Sequence, residues 1–152
     1  MKIKNWITPF QKIKWLICDE LTTDGSEYLE IKLVEHKVID KPFVPKNSGP
    51  LEKVLEGSKP IEETSYSRKW KVIFNNAVAI KQSSESFYLG PFTMDRPTKN
   101  GNTFFIEPSL WVEEIEKDGI LNLVLPGCKH FVIFTSHSTI EVISKVEPII
   151  ES

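Results

Sequence analysis

Apolar and polar residues alternate with a period of two over several short stretches of this chain, the pattern of strands with one buried face. The clearest runs from Tyr66 to Leu89, YSRKWKVIFNNAVAIKQSSESFYL, where Trp70, Val72 and Phe74 alternate with Lys69, Lys71 and Ile73. Asn75-Asn76 suits a two-residue type I′ turn, whose central positions both need positive φ. The hairpin register then sets Phe74 opposite Ala77, Val72 opposite Ala79 and Trp70 opposite Lys81. Ile73, Val78 and Ile80 fall on the other face, so the pair is expected to be covered on both sides. The alternative is one long strand bent at the two asparagines.

Two more hairpins follow from the same reading. Around Thr23-Asp24-Gly25-Ser26 the Asp-Gly turn folds Ile13 to Glu35 so that Leu16 faces Leu33, Cys18 faces Ile31 and Lys14 meets Glu35. Leu16, Cys18, Leu29, Ile31 and Leu33 form the core face. That register also sets Asp19 against Glu30, and like charges directly opposite are unfavourable. Either the register slips, or both carboxylates are solvated near the tip, or they hold a cation. Near the end, Lys129 to Phe134 pairs with Thr139 to Ser144. Phe134 faces Thr139, Ile133 faces Ile140 and Phe131 faces Val142, with His130 diagonal to Glu141 on the opposite face.

Other segments break the alternation. Residues 40–65 carry Pro42, Pro45, Pro50 and Pro60, too many for a sheet ladder, with a helical turn or two from Pro50 to Glu56 stopped by Gly57. This long loop either packs Phe43, Val44, Leu51, Val54 and Leu55 onto one end of the sheet or acts as a binding lid. Phe87 to Met94 and Thr103 to Ile106 read as a further strand pair joined near Asn100-Gly101, with Pro91 marking an edge or bulge. Pro108 to Asp118 is the one helix of ordinary length, with Leu110, Trp111 and Ile115 as its apolar stripe and Gly119 as its stop. Pro148 is expected to end the sheet, with Ile149 and Ile150 tucked down behind it.

Composition narrows the class. A chain of 152 residues fits one domain, 1–152, large enough for its own core. Two distant cysteines, Cys18 and Cys128, make neither a disulfide framework nor a zinc pattern, and are read as buried free thiols. Lys12 and Lys14 interrupt any leader-like apolar run, and no stretch approaches the roughly 20 apolar residues of a membrane span. A cytoplasmic protein without membrane association is therefore expected. The net charge of −2 disfavours nucleic acid. Charge is unevenly placed: Lys2, Lys4, Lys12 and Lys14 make the start basic, whereas Glu107, Glu113, Glu114, Glu116 and Asp118 make a later segment acidic.

The candidate chemistry is sparse. Cys128 and His130 share a strand face, as a thiol and base, or as metal ligands with His137, or as a core cysteine beside a His130–Glu141 pair. His137 belongs at the turn, so the three do not easily converge. Ser83, Ser84 and Ser86 lack the glycines of a nucleophile elbow, and no phosphate loop or dinucleotide fingerprint occurs. No catalytic residue, metal or cofactor is assigned. Glu85, at the end of the central strand pair, suits the anchoring of loop amides or the meeting of a ligand, and Trp70, Trp111 and Tyr88 suit either core or pocket walls.

The run from WKVIFNNAVAIKQSSESF through the acidic helix to KHFVIFTSHSTIEVIS resembles small bacterial proteins of unknown function, over about the second half of the chain. The resemblance singles out Glu85, His130 and Glu141 and implies a bacterial accessory or immunity-type binding protein. The expected fold is α+β: a twisted, mostly antiparallel sheet of successive hairpins, seven or eight strands, curled towards a half-barrel, with one main helix. The expected function is a non-enzymatic protein that binds another protein through the Glu113, Glu114, Glu116 face or the proline-rich loop. The alternative is a ligand-binding or enzymatic half-barrel whose pocket, between sheet and loop, uses Glu85, Tyr88, Trp70, His130 and Glu141.

Overall fold

Two antiparallel sheets face each other across an apolar interior, and a helix lies outside one of them. The computed structural model describes residues 2–47, 49–84, 101–117 and 127–152. The five-stranded sheet has the order β1 (Lys2–Asn5), β8 (Thr103–Glu107), β9 (Lys129–Phe134), β10 (Ser138–Ser144), β7 (Ala77–Ser84). The four-stranded sheet runs β11 (Ile149–Glu151), β6 (Lys69–Phe74), β3 (Leu29–Glu35), β2 (Leu16–Thr23). Between β3 and β6, β4 (Lys37–Val38) pairs with β5 (Ile61–Glu62) to start a separate two-stranded ribbon, and α1 (Pro50–Leu55) lies between them in sequence. The fold is α+β and dominated by antiparallel sheet, and the sheets are not closed into a barrel.

From Tyr66 to Ser84 the chain takes the bent-strand alternative. β6 pairs with β3 and β11, whereas β7 pairs with β10 in the other sheet, so Phe74 and Ala77 do not face each other in a hairpin. No described non-glycine residue has positive φ, so Asn75-Asn76 does not form the type I′ turn. Instead Asn76 Nδ2 donates to Glu27 Oε2 at 3.2 Å and Ala77 N–H to the Glu27 carbonyl at 2.8 Å, tying the bend to the β2–β3 turn. The inward face survives the change of partner: Trp70, Val72 and Phe74 are buried, now opposite Leu33, Ile31 and Leu29.

The β2–β3 hairpin forms, but two residues out of the expected register: Leu16 faces Glu35 and Cys18 faces Leu33. A bulge at Asp19 widens the offset to three residues on the side of the turn, so Glu20 lies opposite Lys32 and ion-pairs with it. Asp19 no longer opposes Glu30, which lies near Lys32 and Lys71 instead, and the like-charge conflict disappears. Because one extra residue flips the alternation, Leu21 packs on the core. β9 and β10 pair as expected, Phe134 with Thr139, Ile133 with Ile140 and Phe131 with Val142.

The interior is closed by the segment whose lysines make the start of the chain basic. Trp6, Phe10 and Ile13 are buried in the core, with Trp6 edge-on to Phe131 at 5.1 Å and Phe10 against Trp70 at 5.7 Å. Lys2, Lys4, Lys12 and Lys14 around them stay exposed. Gly101, at φ 73°, passes the Gln11 carbonyl so closely that a side chain there would collide. Pro148 does not end the sheet: β11 follows it and pairs with β6.

Candidate functional site

Two regions gather the residues of interest. The first lies on the outer face of the five-stranded sheet. Along β9 and β10 the core takes Phe131, Ile133, Ile140 and Val142, which leaves His130 and Glu141 on the opposite face with Val132, Phe134 and Ile143. His130 Nε2 lies 3.1 Å from Glu141 Oε1, the diagonal pair expected from the register. On β7, Lys81 stands directly opposite Glu141, its Nζ 3.4 Å from Oε2, an ion-pair distance that misses hydrogen-bond geometry.

A fourth member was not visible in the sequence. Ser109 precedes α2 (Leu110–Lys117) and caps it, Oγ accepting the Val112 N–H at 3.3 Å and the carbonyl accepting that of Glu113 at 3.0 Å. The same Oγ lies 2.8 Å from His130 Nδ1, and the Trp111 ring stands edge-on to the imidazole at 5.2 Å. Ser109, His130 and Glu141 are 5%, 3% and 2% exposed. Burial works to push the Glu141 carboxyl up, but the bond to His130 and the charge of Lys81 outweigh it and hold the group below the usual glutamate value. Glu141 is thus a carboxylate at neutral pH, inside an otherwise apolar layer.

The second region is the arm between β3 and β6. Ile39 and Phe43 amides donate to the Pro60 and Ser58 carbonyls at 2.8 and 2.7 Å, extending the β4–β5 ribbon towards α1. Pro50 opens α1, and Gly57, at φ 75°, lies just beyond its end, as read from the sequence. The expected packing of this segment on the sheet does not occur. Phe43 and Leu55 are 37% and 41% exposed, and Val44, Leu51 and Val54 are 74%, 72% and 80% exposed. Among the described residues, α1 buries no side chain at all. Leu51, Val54 and Leu55 share one side of α1 by their i, i+3, i+4 spacing.

The other candidates separate. Trp70 belongs to the core, and Trp111 lies beyond the five-stranded sheet, so they cannot wall one pocket. Glu85 and Tyr88 lie outside the described residues, as do the proposed strand Phe87 to Met94 and the stop at Gly119. On α2, Glu114 is exposed but Glu113 and Glu116 are half-buried, and Leu110, expected in the apolar stripe, faces solvent. No disulfide joins Cys18 and Cys128, and both are half-buried rather than buried; burial, with Asp19 nearby, pushes the Cys18 thiol up to about 11. His137 is exposed at the turn beyond β9, away from His130.

Compared with protein-family models, with curated proteins and with solved structures, this chain matches none. Geometry alone therefore carries the functional reading. An open trough of about 400 Å³ crosses the outer face of the four-stranded sheet, beside Asp19, Lys32, Val34, Lys71 and Glu151. Its lysines are already engaged, Lys32 with Glu20, Lys69 with Glu63 and Lys71 with Glu30. No helix among the described residues is long and apolar enough to cross a membrane.

Proposed function

We infer that this protein binds another protein through the arm, with α1 inserted by its Leu51–Val54 side into an apolar groove of the partner. The observation that carries this reading is the exposure of Val44, Leu51 and Val54 on a segment whose backbone is ordered by ribbon and helix hydrogen bonds. A soluble surface tolerates single apolar residues, whereas a cluster of them marks an interaction site. Charge argues for apolar docking over binding to phosphate or nucleic acid. Between residues 37 and 62 the lysines 37, 41, 46, 53 and 59 are nearly cancelled by Asp40, Glu52, Glu56 and Glu62. A short helix laid into a groove is a common mode of such recognition. This role suits the accessory or immunity-type binding protein that the sequence resemblance implies.

The test places a photo-crosslinking residue at position 51 in the organism that encodes the chain, and then purifies the captured protein. Binding of that protein to the wild type should weaken at least about tenfold in the Leu51→Asp/Val54→Asp variant, the loss of about 1.4 kcal/mol or more, while the melting temperature stays unchanged. Equal binding by the variant, or capture of further copies of this chain alone, would sink the reading.

A further inference from the structure

His130 and Glu141 share their face of the sheet with a buried cluster of Phe104, Ile106, Val132 and Phe134. Ion pairs in such surroundings stabilise a fold no better than apolar side chains of similar size. Holding α2 against the sheet requires only packing, which Trp111 already supplies on His130. The network therefore has more polarity than its structural task needs.

Its geometry is that of an activated nucleophile: a hydroxyl within hydrogen-bond reach of a base, and the base oriented by a third group. Ser109 Oγ is 2.8 Å from His130 Nδ1, and Glu141 Oε1 is 3.1 Å from His130 Nε2. A carboxylate only accepts, so Nε2 donates its N–H to Glu141, and the neutral ring then offers the Nδ1 lone pair to the Ser109 hydroxyl. Ser109 also stands at the start of α2, where the Leu110 and Trp111 amides have no intrahelical acceptor and can receive a developing oxyanion.

We propose that Ser109 is a base-activated nucleophile for acyl esters, with His130 as general base and Glu141 as the residue that positions it. Oγ attacks the acyl carbon, its proton passes to His130 Nδ1, and the bond to the leaving alkoxide breaks as that proton is handed on. Water then attacks the acyl-serine by the same route, releasing the acid and restoring the hydroxyl. This activity goes beyond docking through the arm, does not depend on it, and departs from the expectation of a non-enzymatic protein.

A fluorophosphonate probe tests the proposal on the whole folded chain. Attack by Oγ forms an O–P bond, expels fluoride and sends the proton to His130, leaving one adduct that peptide mass spectrometry locates. The adduct should form at Ser109, vanish in Ser109→Ala and in heat-denatured wild type, and form at least about tenfold more slowly in Glu141→Gln. Glu141→Asp should recover part of the rate, which a purely structural role for the carboxylate would not produce. Hydrolysis of p-nitrophenyl acetate should follow the same order. Should Glu141→Gln fail to fold, wild type and Ser109→Ala decide alone, because the latter removes only a hydroxyl and a helix cap. No adduct at Ser109 in the folded wild type, or one formed equally fast in folded Glu141→Gln, overturns the proposal.

Discussion

On the arm, valine and leucine side chains stand in water on an ordered ribbon and helix; on the outer face of the five-stranded sheet, a carboxylate and an imidazole are sealed among phenylalanine and valine. Each region reverses the partition that solvation favours, apolar inside and ionised outside. The reversals differ in how the backbone tolerates them. The arm is tied to the body at its root, where Arg68 binds Glu35 through Nε and an Nη at 2.9 and 3.1 Å, and its own apolar residues contribute little to folding. The buried network is embedded in the ladder of β7, β9 and β10, so the fold depends on every member finding its partner. Polarity kept inside and apolarity kept outside are both features that stability alone would remove, which is why each is read as functional.

The sharpest way to break this comparison is to remove one partner of the buried network. His130→Ala leaves Glu141 buried with only Lys81 beside it, and should lower the unfolding free energy by about 3–5 kcal/mol in chemical denaturation. His130→Phe with Glu141→Leu, which replaces the pair by apolar side chains, should recover most of that loss. A double variant as unstable as the single one would mean that the pair itself holds the fold together.

Acid provides a milder probe of the same group. The folded carboxyl of Glu141 titrates below its ordinary value, so the stability it contributes is present at neutral pH. That contribution is lost as pH falls from about 4.3 through the lower folded value. Below that pH the wild type should therefore lose stability more steeply than Glu141→Gln, measured by urea unfolding at stepped pH. Parallel slopes would show that Glu141 titrates normally.

The smallest effect is expected on the arm. Val44→Ser, Leu51→Ser and Val54→Ser should each change stability by no more than about 0.5 kcal/mol, as for surface positions generally. A loss of 2 kcal/mol or more, of the order of ~2–5 kcal/mol for truncation of a core leucine, would place these side chains in a packed interior and remove the docking surface.

Local signals were legible wherever partners lie close in the chain. The β9–β10 hairpin follows from alternation on two strands joined by a short turn, and that register alone puts His130 diagonal to Glu141. The β2–β3 hairpin was equally readable, but its register was not: five residues, 24–28, join the strands in place of the two-residue Asp-Gly turn, and the bulge at Asp19 answers to the pairing of Glu20 with Lys32 and the packing of Leu21. At Asn75-Asn76 the turn propensity was outweighed by a non-local gain: β6 buries both of its ladder edges between β3 and β11, and β7 does its pairing with β10.

The sequence by itself determined the strand faces, since Trp70, Val72 and Phe74 point inward whichever strand they pair with. It also determined the α+β class and the start and stop of α1 at Pro50 and Gly57. Only the tertiary structure decided which sheet each strand joins, that Ser109 meets His130 across 21 positions, and that the apolar residues of the arm stay in water. The reason is common to all three. Period and turn chemistry act over a few residues, whereas pairing, docking and exposure depend on which distant surfaces remain to be covered once the two sheets have closed on each other.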